Sequence, residues 1–178
     1  MIHPIKHFKT ITRHRLLVLD HAIKAGIPWQ GLVHDLSKYS PQEFIPGCIY
    51  YVGTESPNTL ERKTEGASRA WMHHKGRNKH HFEYWTDYKQ LSRKIGPVRM
   101  PARYLIEMFC DRVAASKNYQ EKNYSQEKPL EYFEKGFAKT MMHPQSARVL
   151  EEWLTMLATQ GEDATFKYIK GLHFKIYR

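Results

Sequence analysis

The sequence predicts a mainly α-helical protein, folded as a single-domain bundle of about seven or eight helices. Apolar residues recur at spacings of three and four along most of the chain, which is the period of an amphipathic helix. Proline repeatedly stands at the first turn of these segments, and no segment alternates as a half-buried strand does. A chain of 178 residues also suits one hydrophobic core. We therefore expect one domain over residues 1–178, with its core at about 10–118 and with C-terminal helices of 119–178 packed on it.

The first predicted helices precede residue 60. Residues 10–25 carry the apolar period and end at Gly26. Residues 29–38 form a short second helix, and Ser40–Glu43 has the residue types of a capping box that opens a third. This third helix ends near Gly53, where a polar connection begins.

Two further helices are predicted in the middle of the chain. Residues 60–74 form the fourth, and Asn78 is placed to cap a fifth that ends before Gly96. In that arrangement His80 and His81 lie in the first turn, where the helix dipole favours the neutral imidazole that binds metals.

The remaining predicted helices follow residue 100. Pro101 opens the clearest of them, a helix over residues 102–118 with a broad apolar face. Residues 129–139 and 144–161 form the next two, each of which begins with a proline. The pattern of residues 162–178 is ambiguous, and we assign no element there.

Charge and composition narrow the class of partner. The net charge of +10 favours anionic partners, but the basic residues form no block, so nucleic acid is an open and less favoured partner. No apolar run approaches the roughly 20 residues that cross a bilayer, and the N-terminal residues lack the features of a secretory signal. Cys48 and Cys110 lie among apolar residues, as buried thiols do. We therefore expect a cytoplasmic protein with no membrane partner.

The histidines are the strongest indication of chemistry. There are eleven, which is many for this length, and their placement is uneven. His34 is followed directly by Asp35, and two histidine doublets, 73–74 and 80–81, fall within nine residues. Imidazole and carboxylate donors together suit divalent manganese, iron, zinc, cobalt or nickel. Since a histidine taken alone is more often a surface or core residue, the metal prediction depends on the whole group.

The segment Gly31–Lys38 (Gly-Leu-Val-His-Asp-Leu-Ser-Lys) resembles the His-Asp element of the HD-domain superfamily of metal-dependent phosphohydrolases. His14 precedes His34 by twenty residues and matches the superfamily's upstream histidine. His21 shares the face of His14 but is close to His34, so we assign it a supporting or packing role. Asp111, on an apolar helix, looks like the aspartate that closes the site. The resemblance implies a helical bundle of the HD-domain type and one ion bound by His14, His34, Asp35 and Asp111.

The two doublets resemble an addition found in the HD-GYP type, in which a further histidine and a His-His-Glu element supply a second metal. The gap between the doublets is much shorter here, and no Gly-Tyr-Pro follows Glu83, so the cyclic dinucleotide specificity of that type is not carried over. One histidine of each doublet is expected to face the site. We favour His74 and His80 as ligands and keep His73 and His81 as supporting or alternative ligands. Whether the site binds one ion or two stays open.

The resemblance implies hydrolysis of a nucleotide or another small phosphate ester by a water that the metal activates. In this reaction Asp35 belongs to the reacting centre and Lys38 binds phosphate, while Glu83 or a histidine that binds no metal serves as acid or base. Arg77 and Lys79 lie in a basic turn that suits phosphate oxygens. Two alternatives remain: a di-iron oxygenase on the same scaffold, and a non-catalytic basic protein that binds nucleic acid or a partner around a structural metal.

Overall fold

The computed structural model describes residues 2–91 and 93–176, which form nine α-helices and one antiparallel hairpin. The mainly α class predicted from the sequence is therefore confirmed. The helices are α1 (Pro4–Ala25), α2 (Pro28–Val33), α3 (Pro41–Ile49), α4 (Pro57–Glu65), α5 (Arg69–Lys75), α6 (Ala102–Gln120), α7 (Lys128–Lys135), α8 (Ala138–Met141) and α9 (Pro144–Ile176). The strands are β1 (Thr86–Lys89) and β2 (Lys94–Pro97).

Helix α1 begins earlier than predicted, because Pro4 stands in its first turn, where the missing N–H costs nothing. Its buried residues follow the helical period and include three histidines, His7, His14 and His21. Gly26 ends the helix in the left-handed conformation, with φ at 84°. The buried face of α1 packs on α2 and α6, which brings the histidines toward the interior of the bundle.

The predicted helix over 29–38 is interrupted at the His34-Asp35 pair, which corrects the sequence-based boundary. Helix α2 ends at Val33, and a 3-10 helix follows over Leu36–Tyr39. Between them Asp35 adopts φ 54°, a left-handed conformation that few residues other than glycine, asparagine and aspartate accept. The break turns both side chains inward, since both residues are about 1% exposed.

Two other local predictions nearby are wrong. Ser40 precedes α3 as expected, but its side chain makes no capping hydrogen bond, and Glu43 turns into the protein instead of back to the helix start. The single helix predicted over 60–74 is two helices, α4 and α5, because Gly66 takes a left-handed conformation between them. Ser68 caps the second of these and accepts a hydrogen bond from the N–H of Trp71.

The predicted fifth helix is absent from the described residues between α5 and α6. His80 and His81 lie in a turn, which is held by a 2.7 Å hydrogen bond from the Trp85 indole to the carbonyl of Lys79. The following residues form the hairpin, in which Thr86 pairs with Pro97. Strand β1 is exposed along its whole length, so the segment has no face that a core helix could bury. The helix-dipole argument for His80 and His81 therefore does not apply.

The core lies between α1, α6 and the C-terminal helices. Phe109 and Val113 on α6 are fully buried, and they pack with Leu150 and Leu154 of α9. Helix α9 continues through the segment left unassigned from the sequence, with a non-helical residue at Gly161. The helices that follow residue 119 thus pack on the core.

The structure also bears on the cysteines and on the length of the apolar segments. Cys48 and Cys110 are free and buried. None of the described helices combines the length and the apolar character that a bilayer crossing needs.

Candidate metal centre

Four of the predicted ligands meet at one point inside the bundle. His14 comes from α1, His34 and Asp35 from the break after α2, and Asp111 from α6. Each offers a ligand atom that lies within 4.8 Å of the others. His14 Nε2 is 3.0 Å from Asp111 Oδ1, and His34 Nε2 is 3.3 Å from Asp35 Oδ2. We call these four residues cluster A.

A second group of ligand atoms adjoins the first and shares Asp35 with it. His74 comes from the end of α5, and His80 and His81 come from the turn that follows. Asp35 Oδ1 lies 3.3 Å from His74 Nε2 and 3.5 Å from His80 Nε2. Because the other oxygen of Asp35 faces cluster A, this carboxylate can bridge two cations. We call Asp35, His74, His80 and His81 cluster B.

Buried polar atoms without partners show that these residues fit a metal. Among the described residues, five such atoms converge on the two clusters, and none is in hydrogen-bonding geometry with a protein group. An unsatisfied buried polar group costs about 1–3 kcal/mol, so five in one place need a compensating ligand. A cation would supply it, and the nitrogen and oxygen donors suit manganese, iron, cobalt, nickel or zinc. The atoms are Nε2 of His14, His34, His80 and His81, and Oδ1 of Asp35.

Glu107, which was not predicted as a site residue, orients two of the histidines. Its Oε1 lies 2.9 Å from His34 Nδ1 and 3.0 Å from His80 Nδ1. Both histidines then donate through Nδ1–H and keep Nε2 free as a lone-pair donor toward the clusters. Glu107 is buried on α6 one helical turn before Asp111. That spacing, an acidic residue four positions before the predicted ligand on an apolar helix, is the signal that could have identified it.

Glu43 does the same for the first histidine doublet. Its two carboxylate oxygens lie 2.7 Å from His73 Nδ1 and 2.7 Å from His74 Nδ1. His74 is buried and its Nε2 points to Asp35, whereas His73 is half-buried and lies outside both clusters. This role was not predicted, because the capping-box pattern assigned the Glu43 side chain to the start of α3.

The two aspartates of cluster A are held as carboxylates. Burial alone would raise the pKa of Asp35, but the positive charges of His34 and Lys38 outweigh it and bring that pKa well below its usual range. For Asp111 burial is again opposed, here by the nearby imidazoles of His14 and His34, and its pKa is also well below the usual range. Burial lowers the pKa of His14, whereas Asp35 and Asp111 raise that of His34 against burial. Protons and metal ions therefore compete for the same nitrogen atoms.

Lys38 lies at the edge of the centre, as its spacing after His34 predicts. Its Nζ is 2.7 Å from Asp35 Oδ2, and its side chain is 27% exposed. Burial would lower the pKa of Lys38, but Asp35 and Asp111 raise it, so the ammonium stays charged. A cation is thus placed beside the bridging carboxylate with access to a cleft.

The other predicted site residues lie away from both clusters. Arg77 donates a 3.3 Å hydrogen bond to the carbonyl of His73, and Lys79 lies over the rings of two tyrosines. Glu83 is half-buried, burial raises its pKa, and neither cluster includes it. His21 packs in the core, stacked on Phe166, with Nδ1 3.3 Å from the carbonyl of Cys110.

Arg15 is a further positioning residue that the sequence did not single out. Its guanidinium donates 2.8 Å hydrogen bonds to the carbonyls of Leu32 and His34. These carbonyls end α2, where no helical partner is available to them. Arg15 thereby holds the backbone of the His34-Asp35 break against α1.

Comparison with known proteins gives one match. The model of a family described as "Family of unknown function (DUF5662)" matches residues 3–156, a span that includes both clusters and Lys38. No curated protein and no solved structure matches the chain.

Proposed function

The chain belongs to the DUF5662 family of unknown function, and we propose that it is a metal-dependent phosphohydrolase that acts on a nucleotide or another small phosphate ester. One observation carries the proposal: Asp35 faces two clusters of ligand atoms while it pairs with a partly exposed lysine. This combination provides ligands for two divalent ions and a cation for the phosphoryl group in one cleft. The ligand order along the chain further supports our proposal that the chain is a small, divergent member of the HD-domain superfamily.

Cluster A would hold one ion and cluster B a second, with Asp35 common to both. Bound divalent ions lower the pKa of a coordinated water and polarise a phosphoryl oxygen. Glu107 and Glu43 accept hydrogen bonds from Nδ1–H of three histidines, which leaves their Nε2 atoms available to hold the ions.

Lys38 would bind a non-bridging phosphoryl oxygen and balance the charge that develops there. Its ammonium is already placed by Asp35, so little side-chain freedom is lost when substrate binds. Glu83 lies outside both clusters, and we assign it no contact with the ions. Since the thiols are free and buried, we place this enzyme in the reducing cytoplasm.

The test is elemental analysis of the purified protein, followed by a phosphatase assay with the metal found. Wild-type protein should contain one to two equivalents of a transition metal and hydrolyse phosphate monoesters. Asp35→Asn, which keeps a residue type that accepts the left-handed conformation, should lose both metal and activity. Asp163→Asn, an exposed aspartate on α9, is the matched control. A wild-type protein that stays metal-free after exposure to manganese, iron, cobalt, nickel and zinc would rule out the proposal.

A di-iron oxygenase is the second candidate, and the abundance of imidazole in cluster B favours it. Three of the four candidate ligands there are histidines, and imidazole suits iron as well as zinc, copper and nickel. Protein that contains two irons, consumes oxygen with an added organic substrate and hydrolyses no phosphate ester with any metal would favour this function over hydrolysis.

A further inference from the structure

Helix α1 carries a second apolar stripe, which lies outside its buried face. The four large apolar residues of this stripe that are exposed, from Ile5 to Ile23, are each between 49% and 71% exposed. Thr12 and Leu19 lie half-buried between them. At about 100° per residue, all six residues fall within an arc of about 80° around the helix. We call this set the outer stripe: Ile5, Phe8, Thr12, Leu16, Leu19 and Ile23.

A shallow groove of about 440 Å³ follows the outer stripe. Phe8 and Leu16 line its apolar part, and the charged residues Lys9, Arg13 and Asp20 lie along one edge of it. All the residues that line this groove belong to α1, so it is open along the length of the helix. It can therefore receive side chains from a second helix that lies alongside.

The apolar area of this surface is sufficient for a stable dimer. At about 200 Å² for a fully exposed large apolar residue, the four exposed members of the outer stripe present roughly 470 Å². Helix α2 packs on α1 and adds Trp29 and Leu32, which are 68% and 51% exposed and bring the total to roughly 700 Å². The largest apolar patch of a monomer is usually about 300–600 Å². The apolar part of a standard interface is about 450 Å² on each partner, so the surface is large enough.

The order of residues along the outer stripe is self-complementary about Leu16. When two copies of α1 lie antiparallel with their Leu16 side chains in contact, Phe8 of one copy meets Ile23 of the other. Thr12 and Leu19 form the next pair inward. The members of each pair differ by one residue in their distance from Leu16. Two-fold symmetry places the same surface on both partners, so an isologous dimer requires this kind of match.

The charged edge is complementary in the same arrangement. In an antiparallel pair the same edges of the two helices face each other, so Asp20 of one copy lies within one turn of Lys9 and Arg13 of the other. Within one chain Asp20 pairs with Lys24 at 2.7 Å, and Arg13 pairs with Glu121 at 2.8 Å. Both pairs are exposed and contribute little to stability, so these charges are available to a partner.

We propose that the outer stripe of α1 is the interface of a homodimer, in which two copies of this helix pack antiparallel around Leu16. The partner is a second copy of this chain, because the apolar order and the charged edge each match themselves. The buried face of α1, with His14, stays directed into its own bundle, so each copy keeps both clusters. The dimer does not depend on the phosphohydrolase function.

Sedimentation velocity over a range of protein concentrations measures the association. The wild type should sediment with twice the mass of the chain at high concentration and dissociate on dilution, with a micromolar dissociation constant. Leu16→Glu removes two apolar contacts and places like charges at the centre, so it should raise this constant at least about 100-fold. Ile95→Glu, at an exposed residue of the hairpin, is the matched control and should associate as the wild type does.

Circular dichroism shows whether the variant is folded. Leu16 is exposed, so Leu16→Glu should keep the helical spectrum and the monomer should remain intact. A wild type that is monomeric at every concentration would overturn the proposal. A folded Leu16→Glu protein that dimerises as well as the wild type would overturn it too, because the interface would then lie elsewhere.

Charge changes test the edge independently of the apolar contacts. Asp20→Lys brings like charges together and should raise the dissociation constant about 10-fold. Lys9→Asp added to that variant restores opposite charges and should bring the constant back toward the wild-type value. A double variant that associates more weakly than Asp20→Lys alone would contradict the antiparallel match.

Single cysteine substitutions determine the direction of the pair. In the antiparallel dimer the two copies of Leu16 lie together at the axis, whereas the two copies of Ile5 are roughly 33 Å apart at 1.5 Å per residue. A disulfide requires Cα atoms within about 7 Å. Oxidised Leu16→Cys protein should therefore form a covalent dimer, and Ile5→Cys should not; the native thiols are buried. Cross-linking of both variants would show a parallel pair, and cross-linking of neither would exclude the contact at Leu16, so either result would overturn the proposal.

Discussion

At the scale of single residues, Asp35 is the residue that clusters A and B have in common. It is buried, it adopts a left-handed backbone conformation, and it faces imidazoles from three segments of the chain. A strained backbone angle at a buried carboxylate persists only when the surroundings determine it. The carboxylates of Glu43 and Glu107, which orient the imidazoles, form part of these surroundings.

Glu107 should control metal affinity without being a ligand. Glu107→Ala removes the acceptor for His34 and His80, and loss of such a partner typically weakens metal binding about 10- to 100-fold. Glu107→Gln keeps a neutral acceptor and should fall between the alanine variant and the wild type. Metal dissociation constants from competition with a chelator measure both effects. Glu131→Ala, at a partly exposed ion pair, should have no effect; equal affinities for all four proteins would contradict the role of Glu107.

At the scale of elements, close contact between α1 and α2 positions the break at His34 and Asp35. Gly31 makes this contact possible, since a Cβ there would lie 2.5 Å from Ala22 Cβ and 3.0 Å from Leu19 Cα. The backbone atom cannot move aside as a flexible side chain does. A larger residue would displace α2, and with it His34 and Asp35.

Gly31→Ala should therefore destabilise the protein by about 1–3 kcal/mol, as overpacking does, and should weaken metal binding as well. Gly171→Ala is the matched control, because it is a helical glycine whose added Cβ would lie within 4 Å of no described atom outside the adjacent backbone of its own helix. The control should stabilise by about 0.5–1 kcal/mol through its helix propensity. Urea unfolding of both variants measures the difference, and a stabilised Gly31→Ala protein would show that the contact does not constrain α2.

His21 should make the packing of α1 on α6 and α9 sensitive to acid. Burial, followed by the charge of Lys117, lowers its pKa to about 4, whereas in the unfolded chain it titrates near 6.5. As pH falls, His21 therefore binds a proton first in the unfolded state. Its contribution to the free energy of unfolding is fully present above pH 6.5 and declines toward pH 4. The loss from this group is about 3 kcal/mol over that window.

Urea unfolding of the wild type and of His21→Gln between pH 7.5 and 4 tests the assignment. The difference at pH 7.5 gives the packing effect of the substitution. The variant should then lose less stability on acidification than the wild type. Parallel curves would mean that His21 titrates alike in the folded and unfolded states.

At the scale of the whole molecule, the candidate metal centre joins segments that are far apart in the sequence. Its ligands come from α1, the break after α2, α5, the turn before the hairpin, and α6. Metal bound there stabilises the folded state only, by about 2.7 kcal/mol at a concentration 100 times the dissociation constant.

Removal of metal should therefore lower Tm by roughly 5–11 °C for a domain of this size. Scanning calorimetry with and without a chelator measures the shift. Asp111→Asn should be insensitive to the chelator, while Asp163→Asn should respond as the wild type does. Equal Tm values for treated and untreated wild-type protein would show that metal contributes nothing to the fold.

Much of this molecule could be predicted from local pattern. The apolar period and first-turn prolines predicted the helical class, with α6 nearly to its ends, because these signals depend on residues one turn apart. The histidines and aspartates predicted as ligands, from His14 to Asp111, all lie in the two clusters. The hairpin and the split of α4 from α5 were missed, because propensity and capping patterns do not report which face finds a partner to bury against.

The sequence by itself thus determined the helical class and the order of the ligands along the chain. Only the tertiary structure decided that His74 faces the centre and His73 does not, that His81 joins cluster B, and that Glu43 and Glu107 orient the imidazoles. The reason is geometric. The side chains of two neighbouring histidines differ in direction by about 100° on a helix, and they point apart in a turn. Their roles therefore depend on groups that folding brings from more than twenty residues away.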